Sequence, residues 1–214
     1  MATFGGAVDL ILTELGRADT SITAVTEREV LKAIEHYSPT RFWFNEARAS
    51  FTASNTIYYA IDTIFPATAS FMPGFLEIDQ VSALISSSVV ELDRESHQEL
   101  QRIDVSGFTG PPCKWAVWAE QLRLYPKCAS GSSNQIDVFG TRRLATLSAS
   151  TESNAWTNAG LSLISARVQK MLNILKFKDY DAARACEVIE QEQLQKLLDR
   201  SERYVPTGRI SSGY

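Results

Sequence analysis

Cysteine and histidine are both scarce in this chain, and their scarcity limits the chemistry open to it. Among 214 residues there are three cysteines and two histidines. Cys113, Cys128 and Cys186 are odd in number, widely spaced and without a CxxC pair. Neither a disulfide framework nor a zinc knuckle follows from them, and they read as buried thiols. His36 sits on a helical stretch shortly before Pro39, and His97 lies in the polar run DRESHQEL. Neither has a partner that would make it a catalytic base, so both read as solvated or capped side chains. GxSxG, GxGxxG, the P-loop, HExxH and the calcium loop are all absent, which removes the common nucleophile, nucleotide, phosphate and metal signatures. No enzyme, cofactor or metal site is therefore expected. No apolar run approaches the roughly 20 residues that span a bilayer, and no basic stretch leads into a hydrophobic one near Met1. The chain is read as made in cytosol, without a membrane helix or signal peptide. Positive charge is also short. A net charge of -4 and a sequence pI near 5.3 argue against a protein that wraps nucleic acid by neutralising phosphates.

What is present is enough apolar material for a core, 44% of residues, in a length that suits one domain or one with a sizeable insertion. Phe4, Val8, Ile11, Leu12 and Leu15 recur at helical spacing up to Gly16 and predict a first short helix. Thr26 with Glu29 three residues later reads as a capping box ahead of Val30, Leu31, Ile34 and Tyr37, although the helix can begin earlier at the DTS turn; Pro39 closes it. From Thr40 the period falls to about two. RFWFNEARASFTAS, TIYYAID, FLEIDQVSALIS, SVVELD, GPPCKWAVWAEQLRLYP and QIDVFGTRRLATL read as strands. The helical period returns with Trp156, Leu161, Ile164, Val168, Met171, Leu172 and Leu175 on one stripe of about 20 residues. A last helix, capped by Asp179 or Asp181, is expected to turn Ala182, Cys186, Ile189, Leu194, Leu197 and Leu198 inward and to carry the pairs Glu192/Lys196 and Asp199/Arg203 outward.

The fold class that follows is α+β. Residues 1–47 and 148–202 form a helical bundle of two short N-terminal and two longer C-terminal helices, residues 48–147 an inserted antiparallel β-module, and residues 203–214 an extended C-terminal arm. Glu77/Asp79 and Glu91/Asp93 share a strand face at i,i+2, as a glycosidase pair would. The simpler reading makes them the water-facing side of half-buried strands, alternating with Leu76/Ile78 and Val90/Leu92. Trp115, Trp118, Phe42, Trp43 and Phe44 read as core or interface. The competing reading is a surface that binds a carbohydrate or another ligand, as in a tail or adhesion component.

The arm RYVPTGRISSGY combines a helix-breaking proline and two glycines with Tyr204, Val205, Ile210 and Tyr214, which are costly to leave in water. Such a segment gains order on a partner. Arg203 and Arg209 make it locally basic on an acidic chain, suited to carboxylates.

Several runs, taken in order, resemble the head-to-tail adaptor (connector) family of tailed bacteriophages. They are ILTELGRADTSIT, HYSPTRFWFNE, the stretch around FMPGFLEIDQV, GPPCKWAVWAEQLRLYP and TESNAWTNAG, and together they span most of the chain. The resemblance implies a virion structural protein at the head–tail junction: a homo-oligomeric, dodecameric ring beneath the portal protein, made in the host cytoplasm. It also implies a downstream tail or nozzle protein as partner, and DNA that passes through the ring without specific binding. Arg203, Tyr204, Val205, Arg209, Ile210 and Tyr214 are then the residues expected to dock on the portal or on a neighbouring subunit.

Overall fold

The structure is a computed structural model that describes residues 2–16, 20–68, 70–104, 107–130 and 134–204. The fold is mixed α+β, and the chain divides into two compact units, Met1–Asn45 with Thr146–Tyr214, and Glu46–Ala145. Among the described residues no helix is long and apolar enough to cross a membrane.

In the first unit, helices from both ends of the chain pack together. α1 (Phe4–Glu14) buries Phe4, Val8, Ile11 and Leu12 and stops where Gly16 takes the left-handed conformation that glycine adopts without strain. α2 (Thr20–Tyr37) begins before the expected capping box. Thr26 and Glu29 are buried in mid-helix, where the Thr26 hydroxyl donates to Ile22 O at 3.0 Å and Glu29 pairs with Arg28 and Lys32. Val30, Ala33 and Tyr37 face inward, whereas Leu31 is exposed.

The run RFWFN is not a strand. Trp43–Asn45 form a 3-10 turn, because the Asn45 side chain accepts from Phe42 N at 2.8 Å and donates to Thr40 O at 2.9 Å, which bends the backbone locally. Phe42 and Phe44 then stack at 5.2 Å and both meet Trp156 edge-on.

The single long third helix is also corrected. α5 (Ala155–Asn158) carries Trp156 and is capped by Asn154. α6 (Leu161–Leu172) follows after Gly160, where any Cβ would lie 2.6 Å from the Trp156 ring. A π-helical turn, Asn173–Phe177, ends it and leaves Leu175 exposed. In α7 (Tyr180–Tyr204), Asp179 is the capping acid, accepting from Ala182 N at 3.0 Å.

The second unit holds two four-stranded sheets. The first has the order β1 (Glu46–Ala53), β8 (Asn134–Thr141), β3 (Glu77–Ile85) and β4 (Ser88–Glu91), antiparallel throughout. The second has the order β2 (Tyr58–Ala60), β7 (Gln121–Tyr125), β6 (Lys114–Trp118) and β5 (Asp93–Arg94). Its β5–β6 pair is parallel, so the module is not wholly antiparallel as expected. The two sheets share one core of Val81, Ala83, Ile136 and Val138 with Trp115, Leu122, Leu124 and Leu92. The Trp115 indole donates to Leu92 O at 3.1 Å.

Two short helices interrupt the strands: α3 (Ile61–Ile64) within TIYYAID, and α4 (His97–Ile103) within the polar run. Arg123 is buried under α4, donating to Leu100 O at 3.2 Å and pairing with Asp104 at 3.0 Å. Arg142, likewise buried, donates to the carbonyls of Pro66, Met72 and Gly74 and so ties down the segment between α3 and β3. Burial lowers its pKa from the ordinary value. As expected, Glu77, Asp79, Glu91 and Asp93 are exposed while Ile78 and Leu92 are buried; Leu76 and Val90 keep more than a third of their surface in water.

Candidate docking site

The expected docking residues fall at and beyond the end of α7. Arg203 and Tyr204 belong to the helix, not to an extended arm as the sequence reading placed them. Proline restricts only the residue directly before it, and nothing in Pro206 barred the helix from reaching Tyr204. Val205, Arg209, Ile210 and Tyr214 lie outside the described residues.

Arg203 does not act alone. Lys196, Arg200 and Arg203 recur at i, i+4 and i+7, which sets them on one helix face. With Asp199 they line an open cleft of about 600 Å³. Three cations against one carboxylate leave that cleft with two net positive charges, and one of them, Arg203, lies in the last turn of α7, where a cation is favoured. The Arg200 guanidinium lies 4.4 Å from the centre of the Trp43 ring, a cation–π contact. The turn that carries Trp43 is fastened to the same helix, since Trp43 N donates to Ser201 Oγ at 3.3 Å and Ser201 Oγ donates to Leu197 O at 2.8 Å. Asp199 accepts from Gln195 at 2.7 Å. The chemistry of the cleft suits recognition of carboxylates together with an apolar or aromatic surface.

The orientation of α7 is set deeper in the unit. Glu190, only 5% exposed, stands where the sequence reading put Ile189, which is 48% exposed. Its carboxylate accepts from the Tyr37 hydroxyl, from Arg167 at 2.7 Å, and pairs with Lys170 at 2.6 Å. Burial pushes the Glu190 carboxyl up, but the hydrogen bonds from Lys170, Tyr37 and Arg167 outweigh it and hold the group below the ordinary range. Burial, and then the bond to Glu190, push the Tyr37 phenol well above its ordinary value. α2, α6 and α7 are thus tied at one point by charge-assisted bonds.

His36 is exposed. His97 stacks on Trp118 with ring centres 4.9 Å apart and planes 13° from parallel, while Trp118 itself is 57% exposed. Cys128 and Cys186 are buried as expected, but Cys113 is exposed. Among the described residues no group of three His, Cys, Asp or Glu side chains is placed to hold a metal ion. No family model and no curated protein matches the chain. The candidate docking site therefore rests on geometry and charge. Sequence reasoning named Arg203 as a docking residue but not Lys196, which it read as paired outward with Glu192, nor Arg200, nor Trp43, which it read as core or interface. The i, i+4, i+7 spacing in KLLDRSER was a readable signal for the first two; the contact with Trp43 depends on a turn that the sequence presented as a strand.

Proposed function

We propose that the chain is a structural virion protein: a head-to-tail adaptor of a tailed bacteriophage, assembled as a ring that joins the portal to the tail and continues the DNA channel. The finer architecture belongs to the same reading, a helical bundle that bears the β unit and sends out a C-terminal arm. The ordered set of residue runs named above supports the family. The observation that carries the docking role is the basic cleft of Lys196, Arg200 and Arg203 beside Trp43, at the point where the chain leaves α7 for residues 205–214, which carry Arg209 and Tyr214. The portal's contribution is an acidic, partly apolar surface. Each contact is weak alone, because exposed ion pairs contribute about 1 kcal/mol or less; repetition around a ring adds them into a durable joint. A net charge of -4 suits a conduit that DNA crosses without sticking.

Pull-down with the portal of the same virus tests this. Removing residues 205–214, or replacing Lys196, Arg200 and Arg203 with glutamate, abolishes capture while the circular dichroism spectrum stays that of the parent. Undiminished capture by both variants refutes the reading. The exposed Trp118 stacked on His97 favours a second reading, a β unit that binds a sugar ring on an aromatic platform. A shift of tryptophan emission on adding glycans, absent in Trp118→Ala, selects it.

A further inference from the structure

The first sheet of the β unit ends on a short strand guarded by a single charge, Glu91. β4 has all four residues exposed, Val89 at 71%. It has neither proline nor lysine, no bulge, and no charge before Glu91; these are the usual devices by which proteins keep a sheet edge from pairing. Val89 lies across from Leu84, itself exposed, so the outer corner of the sheet is apolar.

The hydrogen-bonding groups of this edge also point away from the sheet. β3 and β4 are joined by a two-residue turn at Ser86 and Ser87, both with positive φ (50° and 68°). Ile85 and Ser88 are then the bonded pair that closes the hairpin. Leu92 N donates inward to Val81 O at 2.9 Å. With bonding alternating along the strand, Ser88, Val90 and Leu92 turn their N–H and C=O groups toward β3, and Val89 and Glu91 turn theirs outward.

We infer that this edge pairs with the opposite edge of the same sheet in a second copy, β4 of one copy against β1 of the next. The sheet itself argues for that occupant. Its four strands alternate in direction, so β4 and β1 run oppositely, and setting the next copy alongside continues the antiparallel order. The faces match as well. Ser50, Asp137, Ser82 and Glu91 form one outer row, and Phe51, Ile136, Ala83 and Val90 one inner row. A register that joins like faces brings Val90 beside Ala49 or Phe51 of the next copy, where both already pack on the core. The same register brings exposed Glu91 beside Arg48 or Ser50; Arg48 already pairs with Asp137 of its own sheet at 2.8 Å, and its side chain, 56% exposed, can take Glu91 as a second carboxylate partner. Pairing of this head-to-tail kind uses two different surfaces and therefore propagates, closing into a ring when the rotation between copies allows. The closed ring, as distinct from the pairing, rests on the proposed function.

Native mass spectrometry of the full chain over rising concentration, with amide exchange read at β4 and β1, tests the pairing. Val89→Pro removes an N–H that the protein's own sheet does not use, at an edge position where proline is tolerated. Val89→Lys places a charge on the edge and leaves the backbone intact. The wild type forms species of three or more copies, and the outward amides of β4 and β1 become protected together. Each variant stays monomeric with an unchanged circular dichroism spectrum. Rings formed equally by both variants overturn edge pairing and leave the adaptor reading standing. Wild-type association that stops at two copies overturns the proposed occupant, because head-to-tail pairing leaves a free edge at each end and does not stop there, and a wild type that stays monomeric throughout overturns it too. Open chains that vanish in the variants sustain the pairing and remove the closed ring.

Discussion

Replacing Glu190 with glutamine removes the charge on which Tyr37, Arg167 and Lys170 converge, and its cost can be worked from the burial of each partner. Breaking a buried ion pair costs about 3–5 kcal/mol when the abandoned charge has no water. Here the cations keep some exposure, 22% of the Arg167 side chain and 17% of Lys170, and Lys170 retains Glu187 at 3.3 Å. Glutamine also keeps an acceptor for the Tyr37 hydroxyl. The expected loss is therefore lower, about 2 kcal/mol at neutral pH. Tyr37→Phe removes one hydrogen bond to a charged acceptor, about 1.5 kcal/mol, and the double variant loses less than the sum because both act on the same carboxylate. The pH dependence provides a sharper check. Glu190 has a folded pKa below its ordinary 4.5. Its contribution is fully present above the unfolded value and is lost as pH falls through the folded one. Urea unfolding followed by far-UV circular dichroism, repeated from neutral to acidic pH, should show the gap between wild type and Glu190→Gln closing below about pH 4.5. A gap that stays constant across that range, or a variant within about 0.5 kcal/mol of wild type at neutral pH, refutes the argument that the carboxylate is ionised and ties the three helices.

Two further outcomes concern the β unit. At Gly140 a Cβ would stand 2.1 Å from Glu77 O and 2.7 Å from the Phe75 ring, so Gly140→Ala forces β3 and β8 apart and costs about 3 kcal/mol or more; an unchanged melting temperature would contradict this. Ala119 and Glu120 turn the β6–β7 hairpin with φ of 48° and 59°, a conformation suited to Asn-Gly. Ala119→Asn with Glu120→Gly is expected to stabilise by about 1–2 kcal/mol, read as a higher urea midpoint, and a lower midpoint would show that the tip is held by other contacts.

Much of the architecture was legible because it follows from short-range rules. The first helix, the strands through Trp115 and Leu124, and Asp179 as a cap all stand as the residue pattern implied. α4 was missed although its start was written plainly: Ser96 accepts from Glu99 N at 3.1 Å, the S-x-x-E signature of a helix opening. Glu190 was not legible. Apolar spacing favours Ile189 as the inward residue of α7, and only Arg167 and Lys170, contributed by another helix, make an acid preferable there. The same limit applies to the basic cleft on α7, whose cations were visible along one helix while Trp43 reaches it from a turn more than 150 residues earlier.

The division of the chain has a bearing on how the protein is born. The β unit is one uninterrupted stretch, Glu46–Ala145, whereas the helical unit is split between Met1–Asn45 and the residues from Thr146 onward. On the ribosome the strands have everything they need as soon as Ala145 emerges. α1 and α2, though synthesised first, must wait for α6 and α7 before their apolar faces find cover, and during that interval they are the surface a chaperone would hold.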